Sequence, residues 1–267
     1  MFGKLISVVL LVTTIALNAG AQVQDTINKK TPLLTGKDAL LLGAFALGTA
    51  AVAPLDRHLA KRLQDPYNQE NRFFSRAATG LRVLAEPGSL LTGVGLYALG
   101  RADGQRRVQA LGLHSVEAIL LADVLGGGIK LVAGRARPNV DIDDPFNFQL
   151  FRGFSGHKYQ SFPSGHTINA FAFASTLTRE TQFWWPHKVW YVGTVFYGGA
   201  ALMGLSRMYN NQHWASDVIA GAAIGTLIGT KVVKYTHSHP GNHIDRELIK
   251  GKKSQLQPIP IVFSFQF

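Results

Sequence analysis

Six apolar stretches, separated by polar or basic links, constrain this chain more than any other feature. They cover residues 38–55, 82–100, 108–133, 167–178, 189–205 and 216–235. Each is rich in Ala, Leu, Gly and Val and reads as a helix. Several approach the roughly 18–20 apolar residues that a bilayer span needs, whereas 82–100 and 167–178 fall short. The pattern predicts an all-α fold: six helices running up and down as one bundle, embedded in a membrane. No internal repeat interrupts it.

The links differ in kind. Residues 57–82 are long and polar, with Asp65-Pro66-Tyr67-Asn68 as a turn signal. Residues 101–107 make a tight basic turn. Residues 139–161 form a loop that carries Asp141, Asp143, Asp144, Phe146 and Phe148. Residues 236–253 read as a polar tail, whose His237, His239 and His243 are expected in solvent rather than on a metal. Residues 258–267 alternate in part and suggest one edge strand. Residues 1–21 resemble a secretory signal: Lys4, an apolar run from Leu5 to Leu17, then Ala19-Gly20-Ala21 before Gln22. The expected organisation is a signal at 1–21, one helical domain at 22–253 and a tail at 254–267.

Composition narrows the chemistry. Of 267 residues, 46% are hydrophobic and only 16% charged, which excludes a disordered chain. Mean hydropathy is nevertheless only +0.09, because the links are polar. Cys is absent, which removes disulfides, thiolate catalysis, zinc–thiolate sites and iron–sulfur clusters together. The net charge of +11 suits a polyanion, an anionic lipid surface or a phosphorylated substrate. Basic residues are spread over both ends of the expected bundle and the chain carries an export signal, so nucleic acid is not the expected partner.

Three clusters carry chemistry. Lys130 and Arg137-Pro138 close the third stretch, where Pro138 is expected to stop the helix. Arg offers a planar fork to phosphate oxygens and Lys a point charge. Ser161-Phe162-Pro163-Ser164-Gly165-His166 opens the fourth stretch, with Ser164 as a natural N-cap and free N–H groups facing an anion. Ser206-Arg207, His213 and Asp217 join the fifth stretch to the sixth. Four positions apart on a helix face, Asp217 is expected to accept the Nδ1–H of His213 and leave Nε2 as base or nucleophile. In an up-and-down bundle all three clusters fall at the same end. Three cations, backbone donors and two histidines then describe an oxyanion pocket with a nucleophile and an acid beside it.

These residues resemble the type 2 phosphatidic acid phosphatase superfamily, which contains lipid phosphatases, bacterial acid phosphatases and vanadium haloperoxidases. The family pattern is K-x6-R-P, then P-S-G-H, then S-R-x5-H-x3-D. Lys130, Arg137 and Pro138, then Pro163 to His166, then Ser206, Arg207, His213 and Asp217 match it without departure. The resemblance spans about residues 108–235. It implies that His213 attacks phosphorus, that Asp217 orients His213, and that His166 protonates the leaving oxygen and later activates water. Lys130, Arg137, Arg207, Ser164 and the Gly165 amide would hold the phosphoryl oxygens. It implies no metal and no other cofactor. The expected substrate is a lipid phosphate, such as phosphatidate, phosphatidylglycerophosphate, undecaprenyl diphosphate or a lipid A phosphate. The expected place is a bacterial envelope membrane with a periplasm-facing site and the first apolar stretch lying shallow or packed rather than spanning. A soluble periplasmic acid phosphatase is the rival within the family, and a non-catalytic phosphate- or lipid-binding protein the rival outside it.

Overall fold

The computed structural model describes residues 34–249. The signal-like segment and the suggested edge strand lie outside them. Among the described residues the chain is helical, with no strand and one isolated bridge between Arg135 and Phe148.

Helix α1, Gly36–Val52, starts at Thr35, whose backbone N–H donates to Asp38 Oδ2 at 2.6 Å. A short 3-10 turn, Ala53–Leu55, carries it into α2, Asp56–Leu63. Together these form a 28-residue rod long and apolar enough to cross a membrane, where the sequence reading had it lying shallow. The link expected to be irregular is helical. Asp65 caps α3, Pro66–Gln69, and Asn71 caps α4, Arg72–Ala85, accepting from Phe73 N at 3.0 Å. Asp65-Pro66 is an N-cap followed by a proline at N1, a helix start rather than a plain turn. The second apolar stretch is divided between two helices. α4 ends at Ala85, and Pro87, which has no N–H to donate, stands before α5, Gly88–Ala102.

The remaining long helices are α6, Arg106–Ala133, α7, Gly165–Trp184, α8, Val189–Tyr209, and α9, Ala215–Ser238. A short α10, His243–Leu248, lies in the tail. α7 is the central element, packed on α6, α8 and α9, and every residue from Thr167 to Thr181 is buried. α9 approaches α7 through Gly221, Gly225 and Gly229, spaced by four. A Cβ at each would fall on the backbone carbonyl of Ser164, Ile168 or Ala172 respectively. This contact fixes the start of α7 against the start of α9.

The outer surface is apolar. Leu40, Leu47, Val124 and Val195 are each at least two-thirds exposed, an arrangement that suits lipid and not water. α8 with its preceding turn, Pro186–Tyr209, and α9 are also long and apolar enough to cross. The chain is a helical membrane protein. Its two ends are marked by ion pairs. Asp38 of α1 meets Lys231, late in α9, at 2.5 Å, whereas Asp56 of α2 meets Arg135 at 2.8 Å beside the start of α9.

Candidate active site

The C-terminal end of α6, the start of α7, the end of α8 and the start of α9 lie together, as the up-and-down reading requires. α6 does not stop at Pro138. It ends at Ala133, five residues earlier, because Gly134 adopts the left-handed C-cap conformation, with φ 58°. Arg135 to Pro138 therefore run as an extended link, pinned by Arg137 N–H to Lys158 O at 3.0 Å.

Lys130, in the last turn of α6, reaches over the α7 N-terminus. Its Nζ donates to the Pro163 carbonyl and, at 3.4 Å, to that of Gln160, and its stem crosses Gly165. Ser164 is the N-cap residue, yet its hydroxyl caps nothing. Its Oγ accepts from Thr167 Oγ1 at 2.8 Å and its N–H donates to Asp217 O at 3.1 Å. The start of α7 is thus tied to α9. Arg137 donates to Gln212, and its Nε is buried without a partner. Arg207, in the last turn of α8, is 6% exposed, and both Nε and Nη1 lack a hydrogen-bond partner. Burial pulls the Arg137 guanidinium below its ordinary value, offset by the Asp217 charge.

His213 lies in the link before α9, which begins at Ala215. Its Nδ1 is 2.7 Å from Ser161 O and 3.8 Å from Asp217 Oδ2. The N–H is therefore donated to the Ser161 carbonyl, and the carboxylate stands behind it as a charge rather than as the direct acceptor expected. The consequence for Nε2 is the same: it keeps its lone pair. Burial is the main cause that brings the His213 pKa down to about 4, helped by Lys130 and Arg137 and opposed by Asp217. His166, in the first turn of α7, is partly exposed, with Nδ1 3.4 Å from Glu86 Oε2. Burial, then repulsion from Asp123, raises the Glu86 carboxyl. Burial, then the charge of Arg207, the ring of His213 and the charges of Lys130 and Arg137, brings the His166 pKa down to about 3.

Asp217 is fully buried and fully bonded. It accepts from Trp214 N at 2.9 Å, from Ser161 Oγ at 2.6 Å and from Arg135 Nη1 at 2.5 Å. Arg135 is held in turn by Asp56 at 2.8 Å and by the Pro145 carbonyl. Ser216 N–H donates to Asp56 Oδ1 at 2.9 Å. Ser161 stands in the second sequence cluster without an expected role there, whereas Arg135, Asp56, Ser216, Gln212 and Glu86 are not among the residues that the motifs single out. Arg135 was in view two residues before Arg137; Asp56 offered only an acid directly after an apolar stretch.

Residues 111–239 match the family model described as the PAP2 superfamily. The chain carries a PAP2 superfamily domain. Its relatives include a protein of Porphyromonas gingivalis named lipid A 1-phosphatase, 37% identical over 42% of this chain and 22% of that one. A lipid A 1-phosphatase of Rhizobium etli is 32% identical over 52% of this chain and 66% of its own length. An undecaprenyl-diphosphatase of Sulfolobus acidocaldarius is 30% identical, over 54% and 64%. The chain spans less than two thirds of each of these relatives. Among solved structures, the transmembrane PAP2-type phosphatidylglycerolphosphate phosphatase of Bacillus subtilis shares the fold. Its TM-score is 0.56 at 22% identity, covering 76% of this chain and 97% of that one. The matched residues hold all three sequence clusters, whereas Asp56 and Glu86 of the pocket lie outside them.

Proposed function

We propose that this protein is a lipid phosphatase that hydrolyses phosphate monoesters or diphosphates through a phosphohistidine. The observation that carries the reading is the set of cationic donors without partners, Arg207 Nε and Nη1 and Arg137 Nε, buried beside His213 and His166. Buried donors of this kind cost stability unless an anion takes them, and a phosphoryl group supplies the oxygens.

In the proposed first step the Nε2 lone pair of His213 forms a bond to phosphorus while the bond from phosphorus to the leaving oxygen breaks. His166, which a bound phosphoryl anion would return toward its protonated form by offsetting the surrounding cations, gives its proton to that oxygen. In the second step His166, now neutral, takes a proton from water. The oxygen attacks phosphorus, the P–N bond breaks, and its electron pair returns to Nε2 as phosphate leaves. Asp217 opposes the positive charge that His213 carries in the intermediate. Lys130, Arg137, Arg207, Ser164 and the Gly165 amide are assigned to the phosphoryl oxygens. The lipid substrate class is supported by the exposed apolar belt and by the relatives' names; phosphatidate, phosphatidylglycerophosphate, undecaprenyl diphosphate and lipid A phosphates are the candidates. Phosphate release from that panel, alongside p-nitrophenyl phosphate, tests it. Faster turnover of the soluble ester than of every lipid at matched concentration defeats the lipid assignment, and turnover surviving in His213→Ala defeats the nucleophile.

We infer a bacterial envelope location with the site facing the periplasm. With Gly36 and the site at opposite ends of the bundle, this orientation puts Gly36 on the cytoplasmic side. A reporter fused after Asn139 is expected to give a periplasmic readout; a cytoplasmic one overturns the orientation.

A further inference from the structure

The tail histidines are not all in solvent. At the end of the bundle opposite the phosphate pocket, His237 of α9 points at Glu180 of α7, with Nε2 3.0 Å from Oε2 and 3.2 Å from Oε1. His114 of α6 approaches the same carboxylate, Nδ1 to Oε1 at 2.5 Å. Glu180 is 0% exposed and His114 3%. One donor atom from each of His114, Glu180 and His237 lies within 4.8 Å of the others. Fourteen residues of α7 separate His166 from Glu180, about 21 Å at 1.5 Å per residue. The cluster therefore takes no part in phosphate chemistry.

The outer contacts are those of a ligand set. His114 Nε2 faces Asp245 Oδ1 of α10 at 3.2 Å. An N–H donated there leaves the Nδ1 lone pair turned on Glu180, the carboxylate–histidine arrangement that orients metal ligands. Trp184 Nε1 donates to Glu180 Oε2 at 2.8 Å, fixing that carboxylate. Phe183 stacks on the His237 ring at 4.0 Å. One turn along from His114, Glu117 has a buried Oε1 with no hydrogen-bond partner. Two imidazoles thus converge on the buried Glu180 carboxylate, with Asp245 behind one of them, and the facing lone pairs need a cation among them.

We propose that His114 Nδ1, Glu180 and His237 Nε2 bind a divalent ion of the zinc class, with Asp245 and Trp184 as outer partners, and that the ion clamps α10 to α6, α7 and α9. Two imidazoles and one carboxylate are a donor set that suits zinc, and water supplies a fourth position. Bonds of about 2.0–2.2 Å require the donors to move apart by less than about 1 Å from their hydrogen-bonded spacing. The competing occupant is a pair of protons on the two histidines.

The test uses the full chain without a histidine tag, extracted from zinc-supplemented cells. Elemental analysis is expected to find about one zinc per chain. After chelation, added Co2+ is expected to give visible d–d absorption with one-to-one stoichiometry. His237→Ala is expected to abolish both signals, whereas His239→Ala and His243→Ala keep them. Wild-type protein that is folded yet holds no stoichiometric zinc and gives no cobalt band overturns the proposal in favour of protons. Loss of metal in the His239 or His243 variants but not in His237→Ala overturns it in favour of adventitious tail binding. The readout is metal content, so it stands or falls independently of the phosphatase reading.

Discussion

Replacing Arg207 by Met is expected to make the protein more stable and nearly inactive. The side chain is almost wholly buried, and two of its guanidinium nitrogens have no hydrogen-bond partner. Each buried donor left unsatisfied costs about 1–3 kcal/mol, more when charged. Met has a comparable apolar stem and no charge to desolvate, so the substitution relieves a penalty on the order of 1–3 kcal/mol after the loss of some packing. For a chain of this size that is a rise in Tm of a few degrees, at about 2–4 °C per kcal/mol. In catalysis the same two nitrogens are the donors proposed for the phosphoryl oxygens, and losing one such donor costs about 100- to 1000-fold in kcat. The assays are phosphate release and thermal unfolding in the same detergent. Arg207→Lys separates charge from geometry: it keeps the cation, loses the fork, and is expected to recover only part of kcat/KM. A lower Tm in Arg207→Met, with kcat/KM within threefold of wild type, would refute the reasoning and make Arg207 a structural residue.

Other consequences follow from the same geometry. The His213 pKa near 4 means the ring is neutral, with a free Nε2, above about pH 4 and protonated below it. The acid limb of kcat/KM assigned to the nucleophile is therefore expected near pH 4, and a limb at the ordinary histidine value of about 6.5 would contradict the buried site. Arg135→Met leaves Asp56 and Asp217 as uncompensated buried acids. It is expected to destabilise by about 3–5 kcal/mol, read as a large fall in Tm, and an unchanged Tm would remove the pair as a support of the site. Gly225→Val pushes a side chain into the Ile168 carbonyl. It is expected to cost at least about 1–3 kcal/mol and to lower activity by parting α7 from α9; wild-type Tm and activity would show that the approach can relax.

The pocket end of the bundle was legible because its residues sit at helix ends, and the order of ends in an up-and-down chain is set by counting helices. Lys130, Ser164, Arg207 and His213 needed no three-dimensional information beyond that count. What was illegible depends on contacts between distant segments. Asp56 lies 79 residues from Arg135 and 160 from Ser216, yet the three share hydrogen bonds. No local pattern links an acid at the end of one rod to an arginine in an extended link. The same holds for His237, whose sequence neighbourhood of Ser, His, Pro and Gly looks solvated. Its burial is decided by Glu180, a helix-end acid on α7 that reads as exposed until α6 and α9 close around it. Local polarity therefore locates links but not which polar residues turn inward. The two ends of this bundle differ in that respect: motif spacing exposes the phosphate end, and only the packing of four helices exposes the other.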